Sequence, residues 1–419
     1  MGNYIFYGCD TAKLAEEYGT PLYVVSEDCI RERCREIKHD FLDKYENTKA
    51  VYASKAFQVL EVLRIVKSEG LGVDVVSGGE LYAALKAGID PSVIEFHGNA
   101  KTPGEIREAI EAGVGTIIVD SLSELEILER LAAEYDRTVE ILIRVTPGVD
   151  SHTHAYISTG HIDSKFGISV EGVLNGGIQA ALAAKHIRLR GFHYHVGSQL
   201  HDNSSHILAT KIIMKMVLEL KEKFGYETEE LNCGGGFGVH YAKDPVCTKV
   251  SYFMDPVMEY VEKFSKENGL RRPAVTIEPG RWIVGEAGIT LYEVCSIKTS
   301  SAGRTYIGVD GGMPDNPRTA LYSAEYETEA VEKHDKEHDQ LVTIAGKCCE
   351  SGDILVWDTL LPELEIGDHV AVLCTGAYNH SMASNYNRLP KPAVVMIKDG
   401  KSRLAARRET YEDMISLEL

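Results

Sequence analysis

Short runs of apolar and β-branched residues alternate with longer stretches whose apolar positions recur every three or four residues, which is the pattern of strands alternating with amphipathic helices. The strand-like runs fall at 49–53, 72–76, 93–97, 116–119, 140–145, 189–195, 229–233 and 274–277. Helical periodicity occupies 60–67, 80–86, 105–112, 122–134 and 211–223, and several of these stretches end near a glycine suited to a C-cap. Eight strands separated by helices predict an α/β fold of the (β/α)8 TIM-barrel type.

Beyond about residue 280 the texture changes. Strand-like runs continue at 289–297, 304–309, 340–344, 369–373 and 393–397, with few helices between them, so a C-terminal, mainly-β domain is expected. The predicted domains are 25–280 for the barrel and 281–419, joined by 1–24, for the β domain. The apolar stretch 21–25 could pair with either body. The segment 325–339, dense in Glu, Lys and His, reads as a solvated loop or helix face.

Composition narrows the function classes. Hydrophobic residues make up 44% and charged residues 26% of 419 positions, the balance of a folded globular protein. A formal charge of −19 with no basic patch argues against nucleic acid as a partner. The N-terminus shows no basic segment followed by an apolar one, and no run of about eighteen apolar residues occurs, so a membrane span is not expected. Nine cysteines without C-x-x-C spacing suggest reduced thiols and a cytoplasmic protein.

In such a barrel, chemistry gathers at the C-terminal ends of the strands. There the sequence places Lys55, then Asp74 and Ser77, Arg144, the run His193–Ser198, the glycine run 234–238, and Glu278-Pro279-Gly280-Arg281. Lys55 has mostly apolar neighbours in sequence, where desolvation would favour a nucleophilic neutral amine, although a lone lysine of this kind is often a surface residue. The glycine run would expose consecutive backbone N–H groups to a phosphate. It does not match G-x-G-x-x-G, because Val239 stands at the last glycine. Glu278 comes next to Lys55 when strand eight closes onto strand one, and could hold a pyridine nitrogen protonated; the plainer alternative is an ion pair with Arg281. His195 could be a packed histidine, a ring stacked on a flat cofactor, or a metal ligand with His193. No carboxylate or cysteine at recognised spacing supports a metal there, or at His152 and His154, and none is expected.

Taken in order, YASKAF around Lys55, GVDVVSGGEL around Asp74, HTHAYISTGHIDSKFGI, HVGSQ after His195, GGGFG, EPGR, DGGMPDNPRTALY, CCESGD and GAYNHSMASNYN closely resemble the diaminopimelate decarboxylases. The resemblance spans nearly the whole chain. It implies pyridoxal 5′-phosphate as cofactor, with Lys55 holding it as a Schiff base, His195 on its pyridine face and Glu278 at its ring nitrogen. It places Asp74, Ser198, Gly234, Gly235, Gly236, Gly280, Arg281 and Tyr378 around the cofactor. Substrate positions fall on Arg281, Arg318, Tyr322, Glu350 and Tyr378. Cys349 matches the general acid, supplied by the partner subunit of a homodimer with shared active sites, and Cys348 beside it reads as a packed bystander.

The implied reaction converts meso-diaminopimelate to L-lysine and CO₂. Arginines suit a distal carboxylate and Glu350 a distal ammonium, whereas lysine, ornithine or arginine as substrate would leave guanidinium groups unpaired. A non-catalytic regulator built on the same barrel would be expected to lack the lysine, the glycine loop or the acid, and all three are present. Departures from the family pattern occur at Ala100, Ala155, His161 and His380.

Overall fold

The computed structural model describes residues 2–149 and 164–419. His152, His154, Ala155 and His161, with most of the stretch that carries them, lie outside the described residues. Two compact units are present. One comprises Arg33–Gly238 and Cys247–Trp282; the other comprises Met1–Glu32, Val239–Val246 and Ile283–Leu419. Their boundaries fall later than residues 25 and 280, and the short segment Val239–Val246 goes with the second unit, which no composition change in the sequence marks.

The first unit is a closed barrel of eight parallel strands: Thr48–Ala53, Gly72–Val75, Ile94–Phe96, Thr116–Val119, Val139–Thr146, Ile187–His193, Glu230–Asn232 and Ala274–Ile277. Strand eight pairs with strand one, Ile277 opposite Ala50, and so closes the cylinder. The strands are almost uniformly buried, with Val73, Ile94, Phe96, Ile141 and Val275 fully enclosed, as strands covered by helices must be. Local sequence sets where the helices start. Ser77 accepts from Glu80 N–H at the start of Gly78–Lys86, Thr102 and Glu105 form a capping box before Pro103–Ala112, and Ser121 caps Leu122–Glu134. Gly113 ends the second of these helices in the left-handed conformation.

The second unit is built on a nine-stranded sheet. Its spine is the long strand Gly288–Thr299, paired antiparallel with Leu22–Ser26, with His369–Val372 and, past a register shift, with Thr305–Val309. Leu22–Ser26 also runs parallel to Ala393–Lys398, so the apolar stretch near the N-terminus belongs to this sheet. Leu22, Val24, Ile289, Leu291, Val395 and Ile397 form its core with Phe6 and Leu14. Two further strands, Ile354–Leu361 and Lys401–Ala406, were not predicted. The segment 325–339 is not wholly solvated either. It contains the strand Thr328–Ala330, and Ala330 and Val331 are fully buried because that strand pairs with His369–Val372.

Candidate active site

Lys55 lies in a single 3₁₀ turn, Ser54–Ala56, directly after the first barrel strand. The turn is pinned on both sides: Ser54 Oγ donates to the Asp74 carbonyl at 2.6 Å, and Tyr52 Oη to the Phe57 carbonyl at 2.8 Å. Tyr52, Ser54, Ala56 and Phe57 are buried while Lys55 is exposed, so the apolar company seen in sequence does not enclose the lysine side chain. Those neighbours point into the core, and the lysine points away from it. Asp74, in strand two, is buried, and its Oδ1 has no hydrogen-bond partner among the described residues. Burial pushes its carboxyl up to about 7; the charges of His97 and Lys55 oppose that rise and Glu278 adds to it.

Strand eight is joined to strand one at the mouth. The Pro279 carbonyl accepts from Ala53 N–H at 3.2 Å, and a Cβ on Gly280 would come within 2.8 Å of Ala53 Cβ. Only glycine allows this approach, which sets Glu278 and Arg281 at the same end as Lys55. Glu278 does not pair with Arg281. Its Oε1 accepts from Asn232 Nδ2 at 2.7 Å and lies 2.9 Å from His97 Nε2, while Oε2 lies 3.2 Å from His193 Nε2. Burial alone would raise the carboxyl, but the two histidines outweigh it and hold Glu278 well below the ordinary carboxylate value. Arg281 instead donates to Ser198 Oγ, at 3.3 Å from Nε and 3.1 Å from Nη2.

His97 and Asn232 were not singled out from the sequence. His97 ends the third apolar run, so the strand-end rule that found Lys55 and Glu278 would have found it too. Asn232 gives no such signal, since it sits inside a strand and gains its role only by reaching Glu95 Oε2 and Glu278 Oε1, each at 2.7 Å.

The glycine run is more committed than expected. Gly234 N–H donates to Asn232 Oδ1 at 2.9 Å and Gly235 N–H to His195 Nδ1 at 3.3 Å. Two of the supposed phosphate donors are therefore used inside the protein. Gly236 is the member of the trio whose N–H has no protein acceptor among the described residues. A Cβ at Gly234 would approach His195 Nδ1 to 2.7 Å, and one at Gly236 would overlap the Gly197 carbonyl; both glycines have positive φ. Burial, followed by the charges of Lys55 and Arg144, lowers His195 well below the ordinary histidine value, so its ring is neutral and Nδ1 can accept.

The remaining predicted residues lie in the β unit. Arg318 is only 8% exposed, with its guanidinium carbon 5.2 Å from the Tyr322 ring centroid and 5.6 Å from that of Tyr378. Its Nε has no hydrogen-bond partner among the described residues. Cys349 and Glu350 are exposed. Their loop is anchored by buried Asp353, whose Oδ1 accepts from Met313 N–H at 2.6 Å and Oδ2 from Cys348 N–H at 2.8 Å. Cys349 N–H donates to Asn387 Oδ1 at 2.8 Å. Burial and the nearby Asp353 carboxylate push the Cys348 thiol up to about 12, making it inert beside its exposed neighbour.

A lysine, an acid held ionised, a neutral histidine and a glycine loop at one barrel mouth define the site class, and known proteins of the same fold agree with it. Residues 27–285 match the pyridoxal-binding domain of the pyridoxal-dependent decarboxylases, and the chain belongs to that family. Within it, the chain belongs with the diaminopimelate decarboxylases. It is 46% identical over 413 residues to the Bacillus subtilis diaminopimelate decarboxylase, covering 98% of this chain and 94% of that one. The diaminopimelate decarboxylase of M. jannaschii, solved in complex with L-lysine, superposes with a TM-score of 0.93 at 37% identity, over 100% of this chain and 96% of that one. The Helicobacter pylori diaminopimelate decarboxylase, also with L-lysine, gives 0.90 at 32% identity, over 97% and 99%.

The residues present fit pyridoxal phosphate. Lys55 offers an exposed side chain ending in an amine, Glu278 an ionised carboxylate, His195 a neutral ring, and Gly236 a spare N–H in a cradle that side chains would fill.

Proposed function

We propose that the protein removes one α-carboxylate of meso-diaminopimelate, giving L-lysine and CO₂. The observation that carries this reading is Arg318, a buried guanidinium between two tyrosine rings whose Nε lacks a partner among the described residues. A guanidinium left in that condition calls for an anion, and diaminopimelate brings a distal carboxylate that lysine and ornithine lack.

Bound pyridoxal phosphate supplies the electron sink for the pair left behind when CO₂ departs. Lys55 would hold the cofactor through its amine. Glu278, kept ionised by His97 and His193, holds the ring nitrogen's proton. His195, a neutral imidazole, would pack against the ring. Asp74, Ser198, Gly234, Gly235, Gly236, Gly280, Arg281 and Tyr378 complete the cofactor's surroundings. Arg281, Arg318, Tyr322 and Tyr378 receive the substrate, and Glu350 its distal ammonium. Cys349, from the partner subunit of a homodimer, delivers to Cα the proton that replaces CO₂. The location that goes with this reading is the cytoplasm.

Purified protein offered meso-diaminopimelate, lysine, ornithine and arginine separately should release CO₂ from the first at a rate above the others by about 10⁴-fold, the scale on which a site with unpaired polar groups rejects an analogue. Preference for any of the other three would overturn the substrate assignment. Cys349→Ala should lower kcat by about 10²–10⁴-fold while the cofactor's visible absorbance stays unchanged.

A further inference from the structure

Glu278 is gripped unequally on its two oxygens. Oε1 carries two contacts, the hydrogen bond from Asn232 and the ion-pair contact with His97 Nε2, which lies off the hydrogen-bond direction. Oε2 carries one, from His193 Nε2. An ionised carboxylate has about four acceptor positions, so one remains, and it is on Oε2.

The two histidines are not equivalent. Their rings meet edge to face with centroids 4.9 Å apart, too close for both to be charged at small cost. His97 Nε2 lies 2.9 Å from Glu278 Oε1 and 3.7 Å from Glu95 Oε2, and the Asp74 carboxyl acts on it as well. Burial would lower His97, yet these carboxylates raise it to about 10. Burial lowers His193 to about 4 despite Glu278, with the charges of His97 and Arg144 adding to the fall. His193 is therefore neutral and donates through Nε2, and its buried Nδ1 has no hydrogen-bond partner among the described residues. Glu80, at the start of the helix after strand two, also feels the charge of His97.

We propose that His97 is a positioning residue for the cofactor's ring nitrogen: as the cation seated on Oε1, it keeps Glu278 anionic and reserves Oε2 for the nitrogen's proton. The role rests on the cofactor reading. Without that cation, a carboxylate this deeply buried takes up the proton itself, and the ring nitrogen is left unprotonated. Asn232 fixes the direction of Oε1, and His97 fixes its charge.

The test uses holoenzyme loaded with pyridoxal phosphate labelled with ¹⁵N in the ring. His97→Gln keeps a donor and removes the charge. The ring-nitrogen signal is expected to move toward its unprotonated position, with kcat falling by about 10-fold or more, equivalent to ~1.4 kcal/mol, and KM changing by less than about 3-fold. A signal unchanged from wild type in loaded His97→Gln would overturn the proposal. If that variant does not fold, ¹⁵N-histidine spectra of otherwise unmodified protein decide. A His369→Gln background removes the other imidazole whose value is raised among the described residues. One doubly protonated imidazole should persist at about pH 8, between the ordinary value of about 6.5 and His97's value of about 10. Its absence would overturn the proposal. So would a divalent ion that copurifies with the protein and is lost in His97→Gln, since the three donor atoms, within 4.8 Å of one another, would then serve that ion. Wild-type protein that takes up no pyridoxal phosphate would overturn the cofactor reading together with the role of His97.

Discussion

Two buried glutamates stand at opposite ends of the same barrel and are held in opposite ways. Glu230, at the start of strand seven, meets Lys49 Nζ and Arg190 Nη2, each at 2.9 Å, and accepts from Thr276 Oγ1 at 2.7 Å. Its partners are a lysine and an arginine, and they are partly in water, Lys49 being 44% and Arg190 20% exposed. Glu278, after strand eight, is held by two enclosed histidines and an amide. One carboxylate is met by a lysine and an arginine. The other is balanced by groups that gain and lose protons, and it keeps an acceptor position open. The difference matches the usual division of labour in such barrels, with stability at the N-terminal end and chemistry at the C-terminal end.

The largest expected effect is on activity at the second glutamate. Glu278→Gln should lower kcat for CO₂ release by about 10²–10³-fold, the scale of losing one preorganised electrostatic group. It should cost little stability, because His97 can shed its proton once the anion is gone. A variant that keeps wild-type turnover would erase the distinction between the two ends. Glu230→Ala should do the reverse. The expected loss is about 2 kcal/mol by denaturant titration, below the roughly 3–5 kcal/mol of a fully enclosed pair because Lys49 and Arg190 can rehydrate, with turnover of the folded protein unchanged.

Titration separates the ends further. His97 is raised to about 10, above its unfolded value of about 6.5, so its contribution is complete below 6.5 and is lost as pH rises toward 10. His193 is lowered to about 4, so its unfolded form binds the extra proton between 4 and 6.5, and stability is lost as pH falls through that window. The two histidines' share of the melting temperature should therefore peak near pH 6.5, and His97→Gln should remove its alkaline decline and lessen the acid one, because His97's charge adds to the lowering of His193. A variant that still shows the full alkaline decline would assign that decline to other groups. The smallest effect belongs to Lys49→Ala, at about 0.5–1 kcal/mol, as suits an ion pair with a half-exposed partner.

The barrel was legible because its strands are compact apolar runs and three of its helices begin at a capping Ser or Thr. The β unit was less so. Lys401–Ala406 is an edge strand with no buried position, polar in its first half and apolar in its second, and Thr328–Ala330 is three residues set inside a charged segment, so neither produces an alternation to read. In the site, Lys55, Asp74, His195 and Glu278 could be found by looking at the residues in or just after each strand end. The same search leads to His97, but its importance lies in its approach to Glu278, which comes from strands three and eight facing one lumen and corresponds to no spacing along the chain. The exposure of Lys55 was hidden for a related reason, since adjacent residues in a tight turn point in different directions. The internal use of Gly234 and Gly235 was invisible because their acceptors are themselves site residues.

The glycine loop and the Glu278-Pro279-Gly280 turn are mortised together. Glu278 N–H donates to the Gly234 carbonyl at 2.8 Å, and any side chain on Gly235 would overlap the Glu278 carbonyl. Anyone transplanting this chemistry to another scaffold would have to move both pieces as one joint, because neither keeps its shape without the other's backbone to fit against.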